Sequence, residues 1–388
     1  MGRRVAIVNV AQTKYGVRSD VHIPELAFEP VEEILNKTGL KFTEDGTGID
    51  ATVTCCDDYW DGRTISGVYG TDVAGGNLRH EERLEADGTL GVYYGVLEIL
   101  AGHADIVLAI SYCKESHTEP RLIENMSVEP IFLRPLGIDF LSAAALQANR
   151  YMKKYGVAAE QCAKVVVKNR RNAKLNPFAQ LTAELTVEEI MGSEMLAYPI
   201  RALDSKPVSD GASAVILAAE DKARKLTDKP VWIAGIADCY DLHYPGDREL
   251  GECPSLVKAT QKAYGIAGIT KPVEQIDIVE LCEAFSYQEL LWSEGLGLCD
   301  PGEGGRLIDS GMTEIGEKIP INPSGGMLSG NPVIVGGMTR IVEAVLQLRG
   351  EAGSHQVDGA KRALIQGCQG ICGQHQCVII LTSDVGGK

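Results

Sequence analysis

At 388 residues with 45% apolar side chains, the chain can bury an extensive core, and its length suits two domains or one large α/β unit with an insertion. Its 53 acidic residues outnumber 37 basic ones, a formal net charge of -16 that argues against nucleic acid as a partner, because a phosphate backbone demands a basic footprint. Eleven cysteines, odd in number and irregularly spaced, read as reduced thiols of a soluble cytoplasmic protein rather than a disulfide framework.

Met1-Gly2-Arg3-Arg4 leads directly into a short apolar strand, Val5 to Val10, and not into a secretory signal. No stretch approaches the ~20 apolar residues of a membrane span. Pro24 opens a helix with Leu26, Val31, Ile34 and Leu35 on one face. Residues 51–56 read as a second strand, and the glycine-rich stretch 64–76 as a surface loop. Residues 88–101 form an apolar helix closed by Gly102, followed by a buried strand at 105–110.

From about 115 to 205 the chain is richer in helix and charge, with helices predicted at 139–154, 158–174 and 186–193. This reads as an insertion. Strand signals return at 215–217, 231–235, 276–281, 363–366 and 377–381. Helices fall at 254–266, 285–294 and 338–349, the last after a glycine-rich loop at 322–337. Strand and helix alternate through two similar rounds, which predicts an α/β fold with internal duplication. The boundaries expected are 1–114 with 206–228 for the first half, 115–205 for the insertion and 229–388 for the second half.

Several segments together resemble the thiolase superfamily, on the branch of the sterol-carrier-protein thiolases. They are Val5-Ala6-Ile7-Val8 with Gln12-Thr13-Lys14-Tyr15-Gly16, Lys168-Asn169 with residues 172–177, Lys206 to Ala214, and the run from Gly302-Glu303-Gly304-Gly305 through Asn322-Pro323-Ser324-Gly325-Gly326 to Gly330. The resemblance covers nearly the whole chain in order. It implies two thiolase half-domains in a layered αβαβα arrangement, each a five-stranded sheet between helices, with a loop domain inserted in the first. It also implies a homodimer, coenzyme A as a substrate, and no cofactor bound in this chain.

The catalytic positions depart from that pattern. A thiolase nucleophile is a cysteine at a helix N-terminus, where the helix dipole stabilises the thiolate. Here the matching place is Ala86-Asp87, and no cysteine lies between Cys56 and Cys113. Asp87 reads as an N-cap or as a catalytic carboxylate. The family's Asn-Glu-Ala-Phe becomes Cys282-Glu283-Ala284-Phe285, so that Cys282 is either a displaced nucleophile or a small filler. Glu283 reads as structural, although the motif places it with Phe285, Ser324, Gly325 and Gly326 in the substrate and CoA-binding set.

The family's Gly-His-Pro becomes Gly330-Asn331-Pro332, where the Asn331 amide could donate to a thioester oxygen or cap a loop. In the last motif, 367–377, His375 is the acid/base candidate, with Cys368 and Cys372 competing for the role. A zinc reading of these cysteines lacks a fourth ligand with sensible spacing, so no metal is expected. Lys168, Arg170 and Arg171 are candidates for the CoA nucleotide, although a charge run on a helix is usually a solvated face.

The resemblance implies CoA-dependent thiolytic cleavage of a β-ketoacyl-CoA. An aryl substrate such as 2-benzoylsuccinyl-CoA of anaerobic toluene degradation is expected, giving benzoyl-CoA and succinyl-CoA. It also implies a small zinc-ribbon/OB-fold partner subunit in a heterotetramer. The alternatives are retro-aldol cleavage of a β-hydroxyacyl-CoA, which needs no acyl-carrying cysteine, and a non-catalytic acyl-CoA-binding subunit.

Overall fold

The computed structural model describes residues 3–43 and 47–384. Its frame is a nine-stranded mixed sheet built from β1 (Val5–Gln12), β2 (Ala51–Cys55), β3 (His80–Leu84), β4 (Ile106–Lys114), β5 (Asp210–Ala219), β6 (Val231–Tyr240), β7 (Ile278–Glu280), β8 (Arg362–Gln369) and β9 (His375–Thr382). The strand order is β3-β2-β4-β5-β1-β6-β9-β8-β7. β1 and β6 meet only through Ala6 opposite Trp232 and Ile7 opposite Val231.

Outward from that seam the two halves repeat one plan. β1 pairs antiparallel with β5, and β5 antiparallel with β4, which runs parallel to β2. β6 likewise pairs antiparallel with β9, and β9 antiparallel with β8, which runs parallel to β7. A parallel bridge from Val279 to Ile321 stands where β3 stands in the first half. The duplication read from the alternation of elements is therefore present in the hydrogen-bond ladders, in a sheet that is mixed rather than parallel.

Layering follows from the period of the strands, since successive side chains leave on opposite faces. Val215 and Leu217 of β5, with Ile379 and Leu381 of β9, share a core with helices α1 (Gly88–Ala101) and α2 (Gly336–Arg349), which lie between the halves. Ile216 faces the other way onto Leu26, Val31 and Ile34 of the helix Ile23–Thr38. Val378 and Ile380 meet Leu256 and Ala259 of the helix Pro254–Ala267 and Trp292 of the helix Ser286–Gly295. Helix, half-sheet, helix, half-sheet, helix is the resulting order. Both central helices thus bring their N-termini to one region between the halves, where the first-turn N–H groups Thr89 N and Gly337 N find a side-chain acceptor instead of an intrahelical carbonyl.

Two expectations change. Residues 64–76 contain the helix Ser66–Ala74 instead of a loop, its glycines supplying the left-handed close at Gly75. The strand β3 carries His80-Glu81-Glu82-Arg83, charged and partly exposed at the sheet edge, so it has no apolar signal to detect. The segment 115–205 holds helices Pro120–Ser127, Phe140–Tyr155, Ala159–Ala173 and Val187–Met191. No helix among the described residues is long and apolar enough to cross a membrane.

Candidate active site

The N-termini of α1 and α2, the turn after β8 and the segment 282–285 after β7 converge on a cleft of about 340 Å³. Sheet ends and helix N-termini gather there because both ladders stop at that edge. Its apolar walls include Tyr59, Trp60, Phe140, Phe285 and Ile334.

Asp87 stands at the focus of the two central helices. Its Oδ1 accepts from Thr89 N at 3.0 Å and from Thr89 Oγ1 at 2.6 Å, and its Oδ2 accepts from Gly337 N of α2 at 2.9 Å. It is the N-cap of α1 and also bridges to the first turn of α2. Burial raises its pKa against those three bonds. The place where a thiolase nucleophile is expected therefore holds a buried carboxylate that also lines the cleft.

Three thiols line the same cleft: Cys282, Cys368 and Cys372. Burial pushes Cys282 well above the usual thiol range, and Asp87 and Cys368 add to the shift. Burial also raises Cys368 and Cys372 to about 12, and Asp87 again adds to the shift of Cys368. Cys368 Sγ donates to Cys282 O at 3.5 Å, and Cys372 Sγ to Ala143 O at 3.3 Å, as protonated thiols do. A nucleophilic cysteine requires the opposite environment, one that lowers its pKa.

Asn331 is fully buried and does not line the cleft, yet it is joined to the region around Cys282 through Arg340. Arg340 Nη2 donates to Asn331 Oδ1, while Arg340 Nη1 donates to Glu280 Oε2 at 3.0 Å and Ser324 Oγ at 2.7 Å. The positive charge of Arg340 acts on both Cys282 and Glu283. Among the described residues Asn331 Nδ2 has no partner.

Ser324, Gly325, Gly326 and Glu283 lie beneath the cleft instead of on its wall. Ser324 Oγ donates to Glu280 Oε2 at 2.7 Å, which leaves it committed to the buried network. Gly325 and Gly326 have φ of 98° and 65°, the left-handed region that favours glycine, and pack on Ala173 and Glu283. Glu283 Oε1 accepts from Asn169 Nδ2 at 3.0 Å, and burial, with Glu289 nearby, raises Glu283 to about 8. Phe285 is the one member of that predicted set on the cleft wall.

His375 is also elsewhere. Its Nε2 is 3.0 Å from Asp238 Oδ2 and its ring stacks on Tyr240 at 3.5 Å, outside the cleft. As the first residue of β9 it faces away from the cleft, while Gln374, just before the strand, lines it. The charge run on 168–171 is not a solvated face. Lys168 is buried against Glu289, Arg170 is buried, and only Arg171 is exposed, paired with Glu314. Among the described residues no group of three or more His, Cys, Asp or Glu side chains is placed to hold a metal ion.

Sequence reading missed Asp57, Glu124, Lys206 and His243, which all line the cleft. Only Lys206 carried a signal, as the first residue of the segment 206–214.

Residues 244–383 match the family described as thiolase C-terminal domain-like. The protein is 35% identical to an acetyl-CoA acetyltransferase of Methanothermobacter thermautotrophicus, covering 92% of this chain and 94% of that one. It is 31% identical to sterol carrier protein 2 of Gallus gallus, over 94% of this chain and 69% of that one. It is 30% identical to benzoylsuccinyl-CoA thiolase subunit BbsB of Thauera aromatica, covering 93% of each. Among solved structures, the Ltp2-ChsH2(DUF35) aldolase superposes with a TM-score of 0.83 at 26% identity, over 99% of both chains. The chain belongs to the thiolase superfamily, on the branch that contains the sterol carrier protein 2 thiolases.

Proposed function

We propose that the protein is an acyltransferase of the thiolase class that cleaves the Cα–Cβ bond of a β-ketoacyl-CoA with CoA as acceptor, without an acyl-cysteine intermediate. One observation carries this reading: Asp87, where the resemblance expects the nucleophile, is a helix cap, and Cys368 and Cys372 point their thiols at backbone carbonyls while burial raises all three cleft thiols. The attacking sulfur is then that of CoA itself. Its thiolate adds to the β-carbonyl, the Cα–Cβ bond breaks, and the electron pair leaves as the enolate of the remaining thioester.

Such an enolate needs donors fixed in advance, and one such donor is worth about 3 kcal/mol. The candidate is the unpartnered amide of Asn331, which is buried behind the cleft wall and reaches an oxyanion when that wall shifts on substrate binding. The aromatic wall of Tyr59, Trp60, Phe140 and Phe285, with the likeness to subunit BbsB, supports an aryl substrate such as 2-benzoylsuccinyl-CoA. The subunit name of that relative and the two-protein name of the aldolase support a partner. We assign a small zinc-ribbon/OB-fold subunit to that place, on a homodimeric core.

A second reading is retro-aldol cleavage of a β-hydroxyacyl-CoA, favoured by the protonated thiols together with the likeness to the Ltp2-ChsH2 aldolase. The two readings share the enolate and differ in whether CoA is consumed. The protein, alone and with a co-encoded zinc-ribbon protein, is to be incubated with 2-benzoylsuccinyl-CoA with and without CoA, and separately with β-hydroxyacyl-CoAs. Benzoyl-CoA and succinyl-CoA formed only with CoA support acyl transfer. CoA-independent cleavage of the hydroxy substrate moves the assignment to the aldolase, and no cleavage of either overturns both.

A further inference from the structure

Both readings need a group that takes a proton from the attacking thiol or the β-hydroxyl and returns one to the enolate carbon. The thiols cannot serve, because they are already protonated, His375 lies outside the cleft, and His243 on its wall is solvent-exposed with its ring edge-on to Tyr244. The carboxylates on the cleft wall therefore have to be compared. Asp87 accepts three hydrogen bonds as the cap of α1. Asp57 caps the helical turn Asp58–Asp61 through Tyr59 N at 2.8 Å and Trp60 N at 3.3 Å. Glu85 accepts from Asp58 N at 3.2 Å.

Glu124 differs from all of these. It sits on the helix Pro120–Ser127 at the cleft wall, and the only hydrogen bond to its carboxylate among the described residues is a long one, from Phe140 N at 3.3 Å. Among the described residues its other oxygen accepts no hydrogen bond. Lys206, the only lysine or arginine on the cleft wall among the described residues, is held by Glu115 at 2.6 Å, so it does not fix Glu124 in an ion pair.

We propose that Glu124 is the proton-transfer residue of the cleft, acting as base toward the CoA thiol or the β-hydroxyl and then as acid toward the α-carbon. The assignment rests on the carbon–carbon cleavage read above. In the acyl-transfer version the S–H proton passes to Glu124 and the new C–S bond forms. The Cα–Cβ bond then breaks with its electron pair on the enolate, and the proton moves from Glu124 to Cα. In the retro-aldol version the β-hydroxyl supplies the same proton and the C–O bond becomes a carbonyl. Glu124 ends each cycle as it began.

The surroundings suit a group that must hold and release a proton near neutrality. Burial is the main cause that raises Glu124 to about 7. Lys206 opposes it, and Asp139 and Glu115 reinforce it. Asp139 is itself paired with Arg121, and Asp57 faces the same cleft.

The test uses the reverse half of the chemistry, deuterium exchange into the α-position of propionyl-CoA in D2O, followed by mass spectrometry. There the α C–H bond breaks, the proton passes to the base, and a deuteron returns. Glu124→Gln is expected to slow exchange ~100-fold or more and to remove its rise with pH through 7, while Glu124→Asp restores part of the rate. Wild-type exchange unchanged in Glu124→Gln overturns the assignment.

Absence of exchange in every protein would count against the cleavage reading, and Glu124 is then decided separately. In 13C NMR of protein labelled at glutamate Cδ, one resonance absent from Glu124→Gln should titrate near neutrality and move when propionyl-CoA is added. Titration in the ordinary carboxylate range, or no response to propionyl-CoA, overturns the proposal.

Discussion

Arg340 donates from Nη2 to Oδ1 of Asn331, and a guanidinium has only donors, so this bond fixes which way the asparagine amide faces. The NH2 of Asn331 is thereby left buried and without a partner. Burying an unpaired donor costs on the order of 1–3 kcal/mol, a cost that a bound oxyanion would remove. Arg340 is anchored in turn by Glu280 and Ser324, so the amide's orientation is set by a chain of three side chains.

Asn331→Ala is expected to lower kcat by ~100-fold or more with little change in KM, the signature of a donor that acts in the transition state. Equal loss in KM alone would reassign Asn331 to substrate binding. Arg340→Met should destabilise the fold by ~3–5 kcal/mol, because it leaves Glu280 buried and unpaired. Urea denaturation measures it.

Cys282→Ser, Cys368→Ser and Cys372→Ser should each retain turnover within a few-fold. Alkylation by iodoacetamide should be slow at pH 7 and accelerate as pH rises toward 12, since the reactive thiolate is scarce below the raised pKa values of Cys368 and Cys372. Loss of turnover in Cys282→Ser alone, with a trapped acyl-enzyme in the wild type, would restore the displaced nucleophile.

Asp87→Ala removes the cap of α1 and the partner of Gly337 N, and should cost ~1–2 kcal/mol of stability. The raised pKa of Asp87 gives the sign of its pH dependence: the protonated form suits the folded state. Its contribution is full at low pH and is lost as pH rises through the folded value. Chemical denaturation of Asp87→Ala and wild type across pH 3–7 should therefore show the gap narrowing upward.

Glu283, raised to about 8, keeps its proton in the folded state where the unfolded chain has released it. Stability that is present below the unfolded carboxylate range is lost as pH climbs to about 8, on the order of 1 kcal/mol per pH unit. Glu283→Gln mimics the neutral acid, so its stability should be flatter than the wild type's between pH 5 and 8 and should exceed it at pH 8. Parallel curves would show that Glu283 is already ionised in the fold.

Legibility followed burial and periodicity. Residues 88–101 were readable as a helix to the residue, because Asp87 and Gly102 mark its ends and its interior is apolar. β3 was not, since an edge strand can carry His80, Glu81, Glu82 and Arg83 without cost. Of the site, Asp87, Cys282, Phe285, Cys368 and Cys372 were placed at the cleft by motif alone. Glu124 and Asp57 had no motif, and His375 was chosen for its chemistry without knowledge of which face of β9 it takes.

The order of residues, by itself, determined the two rounds of strand and helix and the lack of any cysteine between Cys56 and Cys113, and the family resemblance added that Asn331 stands where a histidine is expected. These are local facts, written in apolar period and residue identity. Only the tertiary structure decided that α1 and α2 point their N-termini at one carboxylate, that Arg340 orients Asn331, and that Glu124 on a distant helix joins the cleft with its carboxylate held by one long hydrogen bond. Those relations join residues far apart in the chain, and no local pattern encodes the direction in which a folded backbone aims a side chain.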